Sequence, residues 1–321
     1  MPIVNFPEEI IPKAGKASKL SVSGPGKQTL PCLRSPGKNV TSGNGIAALP
    51  PKKLSWSDHM DKNAFFAEFK LSENDLAEAN ITWDALLLIE EEYRNLEHTL
   101  REIGKSFIDE YLYDIETAGI HSYRYRTKGM MQLLEKVIRK KKENPEKFAA
   151  LDHTNYYKFV TDLIGIRVFF LYREDWKHFH QYLNSRFEND PAQYIQNRLA
   201  DFDEDPDHYY IAERPRAYKR TGDSKIYDGD QIEIISDGIY RSLHYIIKYK
   251  GQYIELQGRT LFEEGWGEVD HDIVYKEAED DEMLRDYSRL LNRLSGLADE
   301  MSSYFRRMKQ ERESGEFHTA K

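Results

Sequence analysis

Polar side chains occupy positions in two adjacent strands where apolar residues are expected. Residues 240–249 and 252–260 flank Lys250-Gly251, the spacing of a hairpin with a two-residue turn. That turn pairs Tyr249 with Gln252, and alternation then places six side chains on one face: Tyr240, Ser242, His244, Glu255, Gln257 and Arg259. Such a face is often plain solvent exposure. Because this one combines a carboxylate, an imidazole, a guanidinium and an aromatic ring, we interpret it as a site.

A further acid, Asp162, comes directly before residues 163–172 (LIGIRVFFLY), which read as a central strand buried on both faces. An acid at this place either caps a turn or binds a metal. Mg²⁺ prefers carboxylate oxygens and keeps open positions for phosphates. If Asp162 and Glu255 share one ion, their nearest carboxylate oxygens should lie roughly 3 to 6 Å apart.

A cationic group surrounds the predicted entry to this strand. Arg124, Arg126 and Lys128 are close in sequence, and Lys136 follows two helical turns later. These are either solvated charges or a clamp for a triphosphate, since guanidinium groups bind phosphate in a bidentate manner. An acid for a metal, cations for phosphate and an aromatic ring for a base together indicate a nucleotide enzyme.

The same residues lie in linked motifs that resemble those of the RelA/SpoT-type alarmone synthetases. The motifs are residues 126–128 (RTK) with 135–136 (EK), 162–167 (DLIGIR), 240–244 (YRSLH), 254–260 (IELQGRT) and 266–271 (WGEVDH). They occur in the family's order and cover about residues 120–276. One departure is Gly258, which stands where the family commonly has valine and should leave a small unfilled space in the core.

The resemblance implies an Mg²⁺-dependent transfer of pyrophosphate from ATP to the 3′-hydroxyl of GDP or GTP, which yields (p)ppGpp. By motif position, Asp162 and Glu255 would bind the metal, or Glu255 would take the 3′-hydroxyl proton. Gln257 and Arg259 would orient these groups. Tyr240 would stack on the acceptor base, and His244 would contact acceptor phosphates. The implied ATP-binding residues are Arg126, Lys128, Lys136 and Arg167, and the implied acceptor-binding residues are Tyr240, Ser242 and His244.

Three functions stay open at this point. The preferred one is a stand-alone small synthetase that makes (p)ppGpp. A toxin-like member of the same family would instead modify the 3′ end of tRNA or make adenosine alarmones, and a basic leader slightly favours tRNA because it binds phosphates. A degenerate member would only sense nucleotides, although the intact Asp162 and Glu255 argue against it.

The expected fold is α+β: a nucleotidyltransferase-like mixed sheet of about five strands flanked by helices. Hydrophobic periodicity predicts helices at 83–118, 130–142, 175–187 and 279–313. We expect four parts along the chain. These are a disordered basic N-terminal extension at 1–55, a helical segment at 56–119, the synthetase domain at 120–276, and a long C-terminal helix with a tail at 277–321.

Composition limits the class and the cellular location expected of the protein. The chain has 321 residues and a net charge of −9, which argues against a general nucleic-acid-coating protein. No run approaches the roughly 18 apolar residues of a membrane span. One cysteine, Cys32, excludes a disulfide framework, so we expect a cytoplasmic protein. The apolar stripe of the last helix packs on its own domain by default, or on another subunit in a homo-oligomer.

Overall fold

A mixed β-sheet of seven strands runs through the protein, and helices flank it. The computed structural model describes residues 60–220, 227, 232–238, 240–275 and 281–314. The predicted extension at 1–55 lies outside these residues. The strands are β1 (Ser122–Thr127), β2 (Ile164–Phe170), β3 (Tyr210–Ile211), β4 (Arg216–Arg220), β5 (Glu233–Gly238), β6 (Ser242–Tyr249) and β7 (Gln252–Thr260).

The strand order is β1-β2-β7-β6-β4-β5, with β3 paired to β6. Strands β2 and β7 run parallel, as do β4 and β5, and the other pairs are antiparallel. The α+β prediction is confirmed, but the count of about five strands is too low. Strands β3 and β4 were missed because they are only two and five residues long and lie in a segment rich in prolines.

Nine α-helices occur in the described part of the chain. They are α1 (Lys62–Phe69), α2 (Glu73–Glu78), α3 (Trp83–Phe107), α4 (Ile115–Ala118), α5 (Met130–Glu143), α6 (Tyr156–Phe159), α7 (Trp176–Arg186), α8 (Leu261–Val269) and α9 (Glu282–Glu313). The predicted start and stop of the first long helical stretch are correct. The Thr82 hydroxyl accepts the amide of Ala85 at 3.2 Å, and Gly119 ends α4 in the left-handed conformation. Within the described residues, no helix is long and apolar enough to cross a membrane.

The hairpin of β6 and β7 has the predicted register. Lys250 and Gly251 both adopt positive φ angles, 46° and 75°, as a tight turn between twisted strands requires. Tyr249 pairs with Gln252, and His244 pairs with Gln257. Alternation then directs Leu243, Tyr245, Ile247, Ile254 and Leu256 into the core, where each is at most 1% exposed. The other face of the hairpin is therefore the polar one.

Two expectations about burial are wrong. Strand β2 is not buried on both faces, because Gly165 and Arg167 lie on the open face of the sheet and are partly exposed. The apolar stripe of α9 does not pack on its own domain: Leu290, Leu294 and Leu297 are each more than half exposed. Instead, α9 turns its polar side inward, and the buried residues of this helix are Ser295, Asp299 and Ser303.

The expected unfilled space at Gly258 is also absent. A Cβ atom at Gly258 would lie 2.8 Å from the Cε2 and Cζ atoms of Phe170, so this ring already fills the volume that a side chain at 258 would take. Phe170 is itself buried against Phe179, with ring centroids 5.7 Å apart. The glycine is thus matched to a larger neighbour across the β2–β7 pair.

We predict that Gly258→Ala destabilises the protein by about 1–3 kcal/mol, because the added methyl group overpacks the core against Phe170. Urea unfolding measures the change. Gly265→Ala in α8 is the matched control, since nothing lies within 4 Å of a Cβ atom there and alanine favours a helix. Equal stabilities of the two variants would contradict this packing.

Candidate functional site

The open face of the sheet carries a polar cavity of about 500 Å³. Its floor follows the register of three adjacent strands. Arg126 of β1, Gly165 of β2 and Glu255 of β7 form one row of paired residues. The next row consists of Arg124, Arg167 and Gln257. The cavity is lined by Arg124, Tyr125, Arg126, Asp162, Gly165, Ile166, Arg167, Tyr240, Glu255, Gln257, Arg259, Glu263, Trp266, Gly267, Glu268, Asp270 and His271.

The cavity brings together seven of the eleven predicted site residues. They are Asp162, Glu255, Gln257, Arg259, Arg126, Arg167 and Tyr240. The other four, Lys128, Lys136, Ser242 and His244, are not among its lining residues and contact the lining from behind. The predicted set is therefore contiguous, but only part of it faces the space that a substrate would occupy.

Asp162 is held between two lysines at the start of β2. Lys128 Nζ and Lys136 Nζ both donate to Oδ2 of Asp162, at 2.9 and 2.7 Å. Burial alone would raise the pKa of Asp162, but the two ammonium groups outweigh it and lower this pKa to about 2. The second oxygen, Oδ1, is buried and has no hydrogen-bond partner among the described residues. Asp162 is thus ionised at neutral pH, and its Oδ1 atom can accept one further ligand.

The pKa of Glu255 is shifted in the opposite direction to that of Asp162. Burial, and then the negative charge of Asp162, raises the pKa of Glu255 above its ordinary value. Gln257 Nε2 donates to Oε2 of Glu255 at 2.9 Å, and the imidazole Nδ1 of His244 lies 4.0 Å from Oε1. The two carboxylates therefore interact across one cavity. The pKa of one is lowered by two ammonium groups, and the pKa of the other is raised by burial and by the charge of its neighbour.

These two carboxylates fit an Mg²⁺ ion. Mg²⁺ is usually held by one or two carboxylates and completes its octahedron with water and substrate phosphates. The Oδ1 of Asp162 has no hydrogen-bond partner among the described residues, and the charge of Asp162 repels Glu255, so both carboxylates are suited to a cation. The described residues contain no cluster of three or more histidine, cysteine or acidic ligands, so a closed structural metal site does not occur among them.

Helix α8 contributes acids that sequence reasoning missed. Glu264 and Glu268 are one helical turn apart, and both bind Arg167, at 2.8 and 2.5 Å. Arg124 lies 3.3 Å from Glu268, and Arg259 lies 3.4 Å from Glu264. The sequence does indicate where α8 begins, because Thr260 is a typical N-cap residue. Its hydroxyl accepts a hydrogen bond from the backbone amide of Glu263. Three of the cavity's guanidinium groups are thereby oriented by carboxylates.

The predicted acceptor residues differ in exposure. Tyr240 lines the cavity with its ring stacked on Tyr218, at 5.2 Å between centroids and 17° between planes, and the Arg259 guanidinium lies 5.6 Å from its centroid. Ser242 is fully buried, and its hydroxyl accepts a hydrogen bond from Arg259 Nε at 3.4 Å. Ser242 thus positions Arg259 and does not face the cavity.

His244 is enclosed between β4 and β7. Burial, followed by the charges of Arg259 and Arg216, lowers the pKa of His244 to about 3. At neutral pH it is therefore an uncharged imidazole. Its Nε2 atom is buried and has no hydrogen-bond partner among the described residues. If it contacts a phosphate, it does so as a neutral donor and not as a cation.

A buried ion pair anchors this side of the cavity to α9. Arg241 Nη1 donates to Oδ2 of Asp299 at 2.7 Å, and Thr260 Oγ1 donates to the same oxygen at 3.0 Å. Both charged side chains are at most 3% exposed. Because Arg241 follows Tyr240 and Thr260 follows Arg259, this pair fixes the backbone of two cavity residues from behind.

The comparison with protein families agrees with the site. Residues 125–280 match the family model described as the region found in RelA / SpoT proteins. The match covers just under half of the chain. The resemblance inferred from the motifs is thereby confirmed, and the matched residues include all eleven predicted site residues. A search of curated proteins gave no match.

Solved structures similar to the chain include small alarmone synthetase 1 from Bacillus subtilis bound to its product pppGpp. It is 18% identical, with 70% of this chain and 96% of that chain covered and a TM-score of 0.41. A GTP pyrophosphokinase family protein from Streptococcus pneumoniae is 18% identical, with coverages of 77% and 98% and a TM-score of 0.42. Small alarmone synthetase 2 from Bacillus subtilis is 17% identical, with coverages of 68% and 99% and a TM-score of 0.43.

We predict that His244 makes the protein less stable in acid. The folded pKa of about 3 lies below the ordinary 6.5, so its stabilising contribution is complete above pH 6.5 and is lost as the pH falls towards 3. The loss by about pH 5.5 should be on the order of 1 kcal/mol. His244→Gln should remove that part of the pH dependence in denaturant unfolding, whereas His98→Gln on the exposed side of α3 should not. The prediction would be refuted if the free energy of unfolding depended on pH in the same way for the wild type and for His244→Gln.

Proposed function

We propose that the chain is an Mg²⁺-dependent pyrophosphokinase that transfers pyrophosphate from ATP to the 3′-hydroxyl of GDP or GTP. The observation that carries the proposal is the unpartnered, buried Oδ1 of Asp162, which belongs to a carboxylate that shares its cavity with Glu255 and four arginines. A phosphoryl-type transfer depends chiefly on positioning and on neutralisation of phosphate charge. This cavity offers both.

In this proposal, Asp162 and Glu255 hold the metal. Lys128 and Lys136 keep Asp162 ionised, which makes it the fixed ligand. Glu255 would be the second ligand, since a bound cation would offset the repulsion from Asp162. When bound, Mg²⁺ would neutralise charge on the transferring phosphates. Gln257 holds the carboxylate of Glu255 through its 2.9 Å hydrogen bond and so fixes its direction.

The arginines of the floor would bind the phosphates of ATP. Arg126 and Arg167 lie in adjacent rows on the same face as Glu255. Because Glu264 and Glu268 already neutralise Arg167, phosphate binding there requires an exchange of partners. Arg126 is therefore the first contact for the triphosphate, and Arg167 follows when its carboxylates are displaced. Lys128 and Lys136 act through Asp162.

The acceptor nucleotide would stack on Tyr240. Tyr218 supports this ring from one side, and Arg241 anchors the backbone next to it. The 3′-hydroxyl would then point towards Glu255 across the cavity. The neutral His244 lies behind that carboxylate and shapes its surroundings, and Ser242 holds Arg259 in place.

The proposal is tested by incubating the purified full chain and Mg²⁺ with radiolabelled ATP and, in separate reactions, GDP, GTP, ADP and deacylated tRNA. We expect label on GDP or GTP. Label only on ADP or on tRNA would contradict the proposed acceptor while keeping the transfer chemistry. Nucleotide binding with no transfer to any acceptor would identify a sensor and refute the proposal.

We predict that Glu255→Gln reduces transfer by about 10³-fold or more, a loss comparable to removing a group that stabilises the transition state. The melting temperature should stay constant or rise, because the amide no longer repels Asp162. Glu102→Gln on exposed α3 is the control. Mn²⁺ binding, followed by electron paramagnetic resonance, separates two roles: weakened binding supports Glu255 as a ligand, and unchanged binding would make it a general base.

Asp162→Asn should abolish transfer as well, but with a different effect on folding. The substitution leaves Lys128 and Lys136 facing each other without a counterion. We therefore expect a loss of about 1–3 kcal/mol in the free energy of unfolding. Retention of full stability in Asp162→Asn would show that the two lysine contacts contribute nothing.

We predict that Tyr240→Ala raises the KM for the acceptor and leaves the KM for ATP nearly unchanged. Stacking of a base on an aromatic ring contributes about 1–3 kcal/mol, or roughly 5- to 150-fold in affinity. Tyr240→Phe keeps the ring and should behave as the wild type. Steady-state kinetics with each nucleotide varied in turn measures both constants, and equal rises for ATP and acceptor would contradict the assignment.

A further inference from the structure

Four charged side chains form a buried network behind the acceptor side of the cavity. The network, here called the ion quartet, consists of Arg220, Arg241, Glu263 and Asp299, and each side chain is at most 10% exposed. Arg220 ends β4, Arg241 directly precedes β6, Glu263 lies in the first turn of α8, and Asp299 lies in α9. Buried charges are retained in proteins when they are paired. The quartet therefore joins four elements that could not separate without leaving a charge buried and unpaired.

The carboxylates of Asp299 and Glu263 accept most of the hydrogen bonds in the quartet. Arg241 Nη1 and Thr260 Oγ1 both donate to Oδ2 of Asp299, at 2.7 and 3.0 Å. Thr260 Oγ1 in turn accepts the backbone amide of Glu263 at 3.2 Å. Glu263 Oε2 accepts the backbone amide of Arg241 at 3.3 Å, and its Oε1 binds Arg220. The backbone before β6 and the N-terminus of α8 are thus held by one connected set of contacts.

Helix α9 meets this network with small and polar residues. The buried residues of the helix are Ser295, Asp299 and Ser303, so Asp299 is the acid among them. A Cβ atom at Gly296 would lie 2.3 Å from Nη1 of Arg220, so this guanidinium lies directly against the backbone of α9. The helix is therefore shaped to bring one carboxylate into the quartet and to admit one guanidinium beside it.

The residues that the quartet holds belong to the acceptor side of the cavity. Arg241 follows Tyr240, whose ring is proposed to stack on the acceptor base. Thr260 follows Arg259, whose guanidinium lies 5.6 Å from the centroid of that ring. The residues proposed for ATP lie elsewhere, in β1, β2 and α5 and directly after β1. A change in the quartet should therefore displace the acceptor contacts and spare the ATP contacts.

We propose that Asp299 is a positioning residue that holds the acceptor platform, Tyr240 with Arg259, from outside the residues that match the family model. The matched residues are 125–280, and α9 follows them. The inference rests on the proposed function, because it takes Tyr240 as the acceptor platform. A misplacement of about 1 Å can lower a rate by roughly 10²-fold. Control of the position of the platform is therefore sufficient to affect turnover.

Asp299→Asn tests the proposal by comparing the two nucleotides. The substitution removes the charge that pairs with Arg241 and keeps nearly the same volume. We expect the KM for GDP to rise by about tenfold or more and the KM for ATP to change by less than about twofold. Calorimetric titration of the full chain with GDP and with a non-hydrolysable ATP analogue measures the same difference as dissociation constants. Equal changes for both nucleotides, or no change for GDP, would overturn the proposal.

A double variant separates positioning from stability. Asp299→Asn leaves Arg241 as an unpaired buried charge and so also destabilises the fold. Arg241→Met with Asp299→Leu removes both charges and replaces them with apolar side chains, a change that is often neutral for stability. We expect a melting temperature close to that of the wild type and a KM for GDP that stays raised, because apolar contacts lack the direction of the hydrogen bonds. A wild-type KM for GDP in this variant would overturn the proposal.

Two control variants lie outside the quartet. Glu90 is also fully buried and accepts a hydrogen bond from Arg94 at 2.6 Å, so Glu90→Gln matches Asp299→Asn in chemistry. Ser303→Ala removes the hydrogen bond from α9 to Glu174 and so loosens the same helix at a different point. Neither should change the KM for GDP relative to that for ATP. A selective rise in the KM for GDP in either control would contradict the assignment to Asp299.

Failure of this proposal can be distinguished from failure of the proposed function. A wild-type chain that transfers nothing to any acceptor refutes the proposed function. The two dissociation constants then decide the role of Asp299 by themselves. Selective loss of GDP binding in Asp299→Asn would support it, and a wild-type chain that does not bind GDP would overturn it.

Discussion

The carboxylate of Asp162, held between the ammonium groups of Lys128 and Lys136, is the interaction on which the cavity depends. It fixes three elements at one point, because Lys128 follows β1, Lys136 lies in α5 and Asp162 precedes β2. It also sets the electrostatics of the site. Burial, and then the negative charge of Asp162, raises the pKa of Glu255, and one buried oxygen of Asp162 has no hydrogen-bond partner among the described residues. Both properties favour a divalent cation in the cavity.

Strand register places the other charged residues of the cavity on the same face of the sheet. Because β2 pairs with β1 on one side and with β7 on the other, Arg126, Gly165 and Glu255 occupy a single row. A shift by one residue would turn the arginines into the core and the isoleucines of β2 outward. The apolar face of β2, β6 and β7, whose residues are nearly inaccessible, opposes such a shift. Core packing therefore determines where the cavity's charged groups lie.

The sequence predicted the elements whose signals are local. The Lys250-Gly251 turn fixed the hairpin register, and Thr82 and Gly119 marked the ends of a helical stretch. Strands β3 and β4 gave no periodic pattern because they are short and their neighbours supply the pairing. The acids of α8 were missed because their role depends on where the helix begins after β7. For α9, the periodicity predicted an amphipathic helix but not which of its two sides packs on the domain. The polar side packs there, because residues such as Asp299 form buried polar contacts with the domain.

The most direct test of the electrostatic arrangement is a ¹³C NMR titration of the Asp162 and Glu255 carboxyl carbons, with and without Mg²⁺. We predict a pKa of about 2 for Asp162 and a pKa above the ordinary 4.5 for Glu255 in the absence of metal. Added Mg²⁺ should lower the pKa of Glu255, and Asp162→Asn should lower it as well. An ordinary or depressed pKa for Glu255 without metal, or no response to either change, would contradict the shared carboxylate site.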